Sequence, residues 1–222
     1  MNYSVHLPLN WKEVRLGECC SVQNGYPFKS ELFDESNGIP LIRVRSLKTQ
    51  SCDVYYKGDY DDSYLISNGD VLIGMDGDFQ PCFWQGGKSL LNQRVCRLIS
   101  FKRMVDPYYV FQAIKRPLKE IENSTYYTTV KHLSSFKIQE IPLSLPPYPQ
   151  QLAISKVLQT LQDAIQTRRD ELNLERERKA ALMEHLFTHG TRGETAKQTE
   201  FGYIPQSWEL VHLGKLVLTI SA

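Results

Sequence analysis

The sequence has no apolar run approaching the roughly 18 residues that would suggest a membrane span. Its first ten residues lack the basic and apolar regions of a secretory signal peptide, which predicts a cytoplasmic location. Five cysteines are present but form no CxxC pair: Cys19, Cys20, Cys52, Cys82 and Cys96. This spacing disfavours a zinc knuckle or a thioredoxin-like site and predicts reduced, partly buried thiols.

An excess of one charge is also lacking, because the formal net charge is +1 over 222 residues. Such a balance does not by itself indicate a nucleic-acid-binding protein. The charges are unevenly distributed along the chain, however. Seven acids and one Lys lie between Asp53 and Asp78, whereas eight Lys or Arg and three acids lie between Leu90 and Lys131. This distribution predicts a basic face on a nearly neutral protein, although solvated surface charge is an equally good interpretation.

The clearest periodic feature is a heptad seam between Pro149 and Gly190, which no other Gly or Pro interrupts. Its apolar positions are Ile154, Leu158, Leu161, Ile165, Leu172, Leu182 and Leu186. Polar residues occupy the intervening seam positions: Arg168, Glu175 and Lys179. A helix of this length is too long for one small hydrophobic core to cover its apolar stripe. The pattern therefore predicts a partner helix in a coiled coil. A helix packed on its own domain is the simpler alternative.

A segment near the start of the sequence and a segment after the long helix form an internal repeat. Residues 7–18 (LPLNWKEVRLGE) and residues 204–215 (IPQSWELVHLGK) align at a constant offset of 197 residues. Five positions are identical, including the rare pair Trp11 and Trp208. The chain is therefore predicted to hold one full repeat and the opening of a second.

Residues 1–148 are punctuated by Gly, Asn, Asp and Pro, which predicts a compact mixed α/β or α+β domain. A long helix at residues 149–190 and a linker with the second-repeat opening at residues 191–222 follow it. Short β-branched runs predict strands at 40–45, 71–74, 95–99 and 138–145. One helix is predicted at about 107–121, with Val110, Phe111, Ile114 and Leu118 on its buried stripe.

No catalytic or metal-binding pattern stands out. The chain has no Gly-rich turn suited to S-adenosylmethionine or a dinucleotide. Leu145 opens a Leu-Pro-Pro-Tyr segment similar to an adenine methyltransferase loop, but its side chain cannot accept the hydrogen bond that this chemistry needs. Asp76 and Asp78 lack the rest of a metal-binding set, and His185 and His189 lack a third ligand, so no metal site is predicted.

The sequence contains more residues suited to binding DNA than to catalysis or metal binding, and these residues have basic, amide or aromatic side chains. Lys and Arg contact phosphates, whereas Gln side chains pair with base edges. The candidate DNA-binding residues are Arg43, Arg45, Lys48, Gln80, Gln93, Arg94, Lys102, Arg103, Tyr126, Tyr127 and Lys131. Arg43 and Arg45 are predicted to share the polar side of one strand.

Taken together, the motifs resemble the specificity (S) subunit of type I restriction-modification systems. The resemblance covers nearly the whole chain and depends on the order of six short motifs and the heptad helix. These motifs are Leu7-Pro8-x-x-Trp11 with Leu16-Gly17, Gly38 to Val44, Gly69 to Ile73, Asn92-Gln93-Arg94, Thr129 to Ser134, and Ile141 to Pro147. The family usually has Glu-Gln after the Pro-Pro stretch, where this chain has Gln150-Gln151.

The resemblance implies a target-recognition domain at residues 1–148 that binds half of a split double-stranded DNA site. It implies methyltransferase (M) subunits as partners, which carry S-adenosylmethionine and the active site, and motor-nuclease (R) subunits in restriction complexes. The chain itself is then neither a catalyst nor a cofactor-binding protein. Because it holds one recognition domain and one long helix, two copies are expected to pair through the helix and recognise an interrupted palindrome.

Two other functions stay open. The chain can be a coiled-coil scaffold fragment that dimerises and holds M subunits without binding DNA. It can also belong to a self-contained restriction-methylation enzyme, which the lack of methyltransferase and nuclease motifs disfavours.

Overall fold

The computed structural model describes residue 8, residues 10–124 and residues 132–216. The chain divides into two compact units, Met1–Leu158 and Gln159–Ala222, and the division falls within the long helix. No helix in the described ranges combines the length and apolar character that a membrane span requires.

The described residues of the first unit form eleven strands. They are β1 Lys12–Arg15, β2 Ser21–Asn24, β3 Phe33–Asp34, β4 Ile39–Ile42, β5 Tyr55–Tyr56, β6 Leu65–Ile66, β7 Val71–Gly74, β8 Pro81–Phe83, β9 Ser89–Leu91, β10 Val95–Ile99 and β11 Pro142–Leu145. The strands form an antiparallel sheet in the order β2-β10-β7-β8, a mixed sheet in the order β3-β5-β4-β9-β6, and the antiparallel pair β1-β11. Within the mixed sheet, β4 and β9 are parallel.

The helices of this unit complete a mixed α/β fold, as predicted. They are α1 Leu16–Cys19, α2 Ser46–Thr49, α3 Pro107–Ala113, α4 Lys115–Ser124, α5 Ser135–Gln139 and the long helix α6 Tyr148–His189. The strand β7 shows how the core is built. Val71 and Ile73 are buried in a cluster with α3 and α4 residues, whereas Leu72 is buried on the opposite face with Trp84. A strand buried on both faces reads as a continuous apolar run.

Three of the predicted elements differ from the structure. The helix predicted at about 107–121 is two helices, because Pro117 has no N–H for the carbonyl of Ala113 and its ring clashes there. Its predicted buried stripe is correct, since Val110, Phe111, Ile114 and Leu118 are all buried.

The strand predicted at 40–45 ends at Ile42, where the hydroxyl of Ser46 accepts a hydrogen bond from the backbone N–H of Arg43 and a turn begins. Arg43 and Arg45 therefore lie in a turn and do not alternate on a strand. The strand predicted at 138–145 is shorter, because Ser134 caps α5 by accepting from the backbone N–H of Lys137, and β11 begins only at Pro142.

The long helix agrees with its prediction to within one residue at each end. It begins at Tyr148, and Gly190 follows it in the left-handed conformation with φ 68°. Within the seam, Leu161, Ile165, Leu172 and Leu182 are each between 48% and 55% exposed. An exposed apolar stripe of this kind fits a coiled coil and does not fit a helix packed along its whole length on its own domain. Glu175 pairs with Arg178 at 3.5 Å, not with Lys179.

The second unit contains the rest of α6, a hairpin of β12 Ala196–Thr199 and β13 Gly202–Pro205, and the short helix α7 Leu213–Leu216. The internal repeat has a structural counterpart. The backbone N–H of Trp11 donates to the carbonyl of Pro8 at 2.9 Å, and that of Trp208 donates to Pro205 at 3.0 Å. A helical turn begins at the matched residues Leu16 and Leu213.

Candidate nucleic-acid interface

Two parallel strands bring four of the predicted DNA-binding residues together at one edge of the mixed sheet. Ile42 of β4 is paired with Leu91 of β9, so the residues that follow, Arg43 and Asn92, leave the sheet at the same edge. A groove opens at this edge and is called here the arginine groove. It is lined by Phe28, Ser30, Phe33, Arg43, Val44, Arg45, Asp76, Asn92, Gln93 and Arg94. Four of the predicted residues are therefore brought together: Arg43, Arg45, Gln93 and Arg94.

The turn that carries Gln93 and Arg94 has a strained backbone. Arg94 has φ 76°, in the left-handed region that disfavours a residue with a side chain. Two tertiary hydrogen bonds hold the turn. The backbone N–H of Met75 donates to the carbonyl of Arg94 at 2.8 Å, and the backbone N–H of Gln93 donates to the carbonyl of Tyr26 at 2.9 Å. Strain of this kind concentrates at binding and catalytic sites. Gln93 and Arg94 are both exposed, so the turn presents them to a ligand.

Asn92 is a polar groove residue that the sequence-based list of candidates omitted. It is 8% exposed, and its Oδ1 has no hydrogen-bond partner in the described residues. A Cβ added to Gly25 would lie 2.0 Å from the carbonyl oxygen of Asn92, so the chain passes too closely for any other residue at position 25. The Asn92-Gln93-Arg94 motif resembled the family's Asn-Gln element, but the sequence did not indicate which of its side-chain amides is buried without a partner in the described part of the chain.

Acidic residues neutralise much of the predicted basic face. Arg94 Nε lies 3.2 Å from Asp76 Oδ2, and Asp76 Oδ1 lies 2.8 Å from His132 Nδ1. Arg45 is paired with Asp53 and Lys48 with Asp78. The charge separation along the sequence is thus not a separation in space, because the fold brings the acidic stretch against the basic one. Arg43 differs, because it is exposed and its side chain has no partner in the described residues.

The remaining predicted residues lie elsewhere or outside the described ranges. Lys48 and Gln80 line a second small pocket with Val44 and Asp78. Lys102 and Arg103 are exposed in the turn after β10, whereas Arg94 precedes that strand. Because a strand of five residues is about 16 Å long, Arg94 and the pair Lys102 and Arg103 lie at opposite ends of β10. Tyr126, Tyr127 and Lys131 fall outside the residues that the structure describes.

Arg97, a cation of β10 outside the list of candidate DNA-binding residues, has a structural role. Its guanidinium donates to Gln23 Oε1 at 2.7 Å and 3.1 Å, to the carbonyls of Ser63 and Leu65, and to Asp70 Oδ2 at 3.2 Å. Only 15% of its side chain is exposed. Gln23 is occupied in the same network and is not available for base contacts.

Metal binding finds no support at the positions considered from sequence. Asp76 and Asp78 are both engaged by cationic or imidazole groups, as described above. The rings of His185 and His189 stack with their centroids 4.9 Å apart. Across the described part of the chain, no three His, Cys, Asp or Glu residues are grouped so that they could hold a metal ion.

Comparison with known proteins identifies the family. The family model described as the type I restriction modification DNA specificity domain matches residues 8–176. The chain belongs to this family. It is 30% identical to the type I restriction enzyme EcoBI specificity subunit of Escherichia coli, over 95% of this chain and 47% of that protein. It is 24% identical to the MjaVIII specificity subunit of Methanocaldococcus jannaschii, over 97% of this chain and 51% of that protein.

Solved structures agree on the fold. The HsdS subunit from Thermoanaerobacter tengcongensis matches with a TM-score of 0.59 and 18% identity, over 82% of this chain and 46% of that one. A type I restriction-modification S subunit from M. genitalium matches with a TM-score of 0.61 and 14% identity, over 86% of this chain and 49% of that one. The chain thus spans about half the length of the specificity subunits that it matches.

Proposed function

We propose that this chain is a DNA-recognition subunit of a type I restriction-modification methyltransferase. The observation that carries the proposal is the arginine groove in a domain of the DNA specificity family. The groove combines an exposed Arg43 whose side chain has no partner among the described residues, an exposed Gln93 and a strained Arg94. Arg and Lys neutralise phosphates, and Asn and Gln pair with base edges. Domain 1–148 is the recognition domain in this proposal.

We further propose that two copies associate through residues 149–190, with residues 191–222 as linker and second-repeat opening. The exposed stripe of Leu161, Ile165, Leu172 and Leu182 supports this pairing, because isolated stripes of this kind are covered in coiled coils. Two identical recognition domains related by a two-fold axis bind two identical half-sites, so the target is an interrupted palindrome.

The proposal assigns catalysis to other chains. Methyltransferase subunits bind S-adenosylmethionine and methylate adenine, and in a restriction complex R subunits join them. This chain then binds no cofactor, and its residues position DNA. The complex works in the cytoplasm, where the host DNA is.

Methylation mapping tests the proposal directly. The chain is expressed with its cognate methyltransferase subunit in cells that lack adenine methylation, and methylated adenines are located by long-read sequencing. One interrupted palindromic motif is the expected result, and it disappears when the chain is left out. Methylation without a motif, or none with both chains folded and bound to each other, contradicts the proposal.

Salt-dependent DNA binding tests the groove. Arg43→Ala removes one cation, so the slope of log K against log salt falls in magnitude by about 0.9 if Arg43 contacts a phosphate. Arg192→Ala removes an exposed cation of the second unit and is the matched control, with an unchanged slope expected. An unchanged slope in both variants removes Arg43 from the interface.

A scaffold without DNA-binding activity is the second candidate function. Pairing of Arg45, Lys48 and Arg94 with acids favours it, because these cations are partly neutralised. Charge reversal separates the two functions. In the recognition function, Arg43→Glu abolishes methylation while dimerisation and methyltransferase binding persist, whereas in the scaffold function wild type and variant behave alike in every assay.

A further inference from the structure

A further concavity lies beside the arginine groove, and none of the described residues that line it is basic. It is lined by Tyr26, Phe28, Asp59, Tyr60, Asp61 and Tyr64, and is called here the aromatic bowl. Its walls come from the loop between β2 and β3 and from the loop between β5 and β6. Phe28 lines both the aromatic bowl and the arginine groove, so the two concavities are neighbours.

Packed rings form the aromatic bowl. The ring of Tyr26 lies 5.1 Å from that of Phe28 and 5.2 Å from that of Tyr64, both inclined and not parallel. Phe28 is buried at 5% exposure, whereas Tyr26 and Tyr60 are 46% and 37% exposed. The bowl therefore has a fixed aromatic floor and exposed ring surface that a ligand can contact. The negative face of an aromatic ring attracts a cation within about 6 Å of its centroid.

Two carboxylates add negative charge at the bowl. Asp61 Oδ1 accepts a hydrogen bond from the backbone N–H of Ser63 at 2.8 Å, and this bond holds the pKa of Asp61 below its usual range. Asp59 is exposed, and neither acid has a Lys or Arg partner in the described residues. The cation nearest in sequence, Lys57, is paired with Asp34. The described residues of the bowl thus offer ring faces and negative charge, and no cation is among them.

We propose that the aromatic bowl binds an arginine or lysine side chain of a protein partner. Ring faces and carboxylates together favour a guanidinium or ammonium group, through cation–π contacts and charge-assisted hydrogen bonds. The same carboxylates repel phosphates, so the DNA backbone is a poor occupant. The identity of the partner as the methyltransferase subunit rests on the proposed function. A partner seated in the bowl would adjoin DNA in the arginine groove.

Peptide titration followed by NMR of ring-labelled tyrosines tests the bowl without any partner protein. The probe is acetyl-Gly-Arg-Gly-amide, and the control peptide carries citrulline, which has a similar shape and no charge. The arginine peptide is expected to shift Tyr26, Tyr60 and Tyr64 resonances, with the citrulline peptide much weaker. Tyr60→Ala and Asp59→Asn should each weaken binding about fivefold. The matched control is Tyr203→Ala, an exposed tyrosine of the second unit that should leave the titration unchanged.

Absence of shifts, or equal shifts with both peptides, overturns the proposal. Displacement of the bound arginine peptide by an oligonucleotide also overturns it, because the bowl would then stack bases. A second titration uses the methyltransferase subunit, whose affinity should fall about tenfold for Tyr60→Ala while DNA affinity stays constant. If wild type and Tyr60→Ala bind the methyltransferase subunit with equal affinity, this subunit does not occupy the bowl. If wild type binds no methyltransferase subunit, the proposed function fails, while the peptide titration still decides the bowl.

Discussion

The side chain of Gln151 accepts a hydrogen bond from the backbone N–H of Asp106 at 2.9 Å and thereby joins the first turn of α6 to the start of α3. Its amide nitrogen donates to the carbonyls of Pro146 at 2.8 Å and Met104 at 3.2 Å. Ser155, one turn later, donates to the Asp106 carboxylate at 2.5 Å. Both side chains are at least 95% buried, so the beginning of the long helix is fixed by a satisfied polar network.

Removing the Gln151 amide should therefore destabilise the first unit. Gln151→Ala leaves the buried carbonyl of Pro146, and the part-buried N–H of Asp106 and carbonyl of Met104, without this partner. We expect a loss of about 1–3 kcal/mol in the free energy of unfolding, measured with urea. Gln159→Ala changes an exposed residue of the same helix and should stay within about 0.5 kcal/mol of wild type. Similar values for both variants would show that the network is not important for stability.

Arg97 should behave as a structural residue. Arg97→Ala removes the donor from the Asp70 carboxylate and from the carbonyls of Ser63 and Leu65 in a part-buried site, so we expect destabilisation of about 1–3 kcal/mol. Arg43→Ala removes a side chain with no partner in the described residues and should leave thermal stability nearly unchanged. Calorimetry of the two variants checks this contrast. A stable Arg97→Ala protein with weakened DNA binding would instead assign Arg97 to the interface.

The helix seam should control self-association. Leu172→Glu places a charge in the predicted seam and should weaken dimerisation by at least about tenfold in sedimentation at micromolar concentration. Leu174→Glu is the matched control, since Leu174 is even more exposed, at 64%, but lies outside the seam. A wild-type monomer, or equal weakening by both changes, contradicts pairing through this stripe.

The cysteines should be slow to react at neutral pH. All five are free thiols, and burial raises the pKa of Cys20 and Cys96 to about 12 and that of Cys82 to about 11. Iodoacetamide labelling followed by mass spectrometry should modify them far more slowly than an added exposed thiol in Gln159→Cys, because only the thiolate reacts. Fast labelling of Cys96 in folded protein would contradict its burial.

The same thiols link stability to alkaline pH. A thiol whose folded pKa lies above its ordinary value of 9.0 stays protonated while the unfolded chain has already lost the proton. Their contribution is therefore complete below pH 9 and is lost as the pH rises from about 9 towards 12. Urea unfolding at pH 8, 9.5 and 10.5 should show a falling free energy of unfolding, with a shallower fall in Cys96→Ala.

Patterns local in sequence were predicted well. The period of apolar residues gave α6 and its exposed stripe, Gly190 marked the helix end, and the repeated Pro-x-x-Trp segment forms the same turn at Trp11 and Trp208. Errors came where a local hydrogen bond competed with the pattern. Ser46 ended the strand before Arg43, Ser134 turned the predicted strand at Ile138 into helix, and Pro117 split one helix into two.

The sequence by itself determined the family, the long helix and the buried stripe of Val110, Phe111, Ile114 and Leu118, because each depends on residue type and short-range spacing. The tertiary structure alone decided which charged side chains are available. Parallel pairing of β4 with β9 placed Arg43 beside Asn92, and pairing of β10 with β7 brought Arg97 against Asp70. Whether a charged side chain is solvated or paired with a counterion depends on contacts between residues far apart in sequence. No local sequence pattern predicts those contacts.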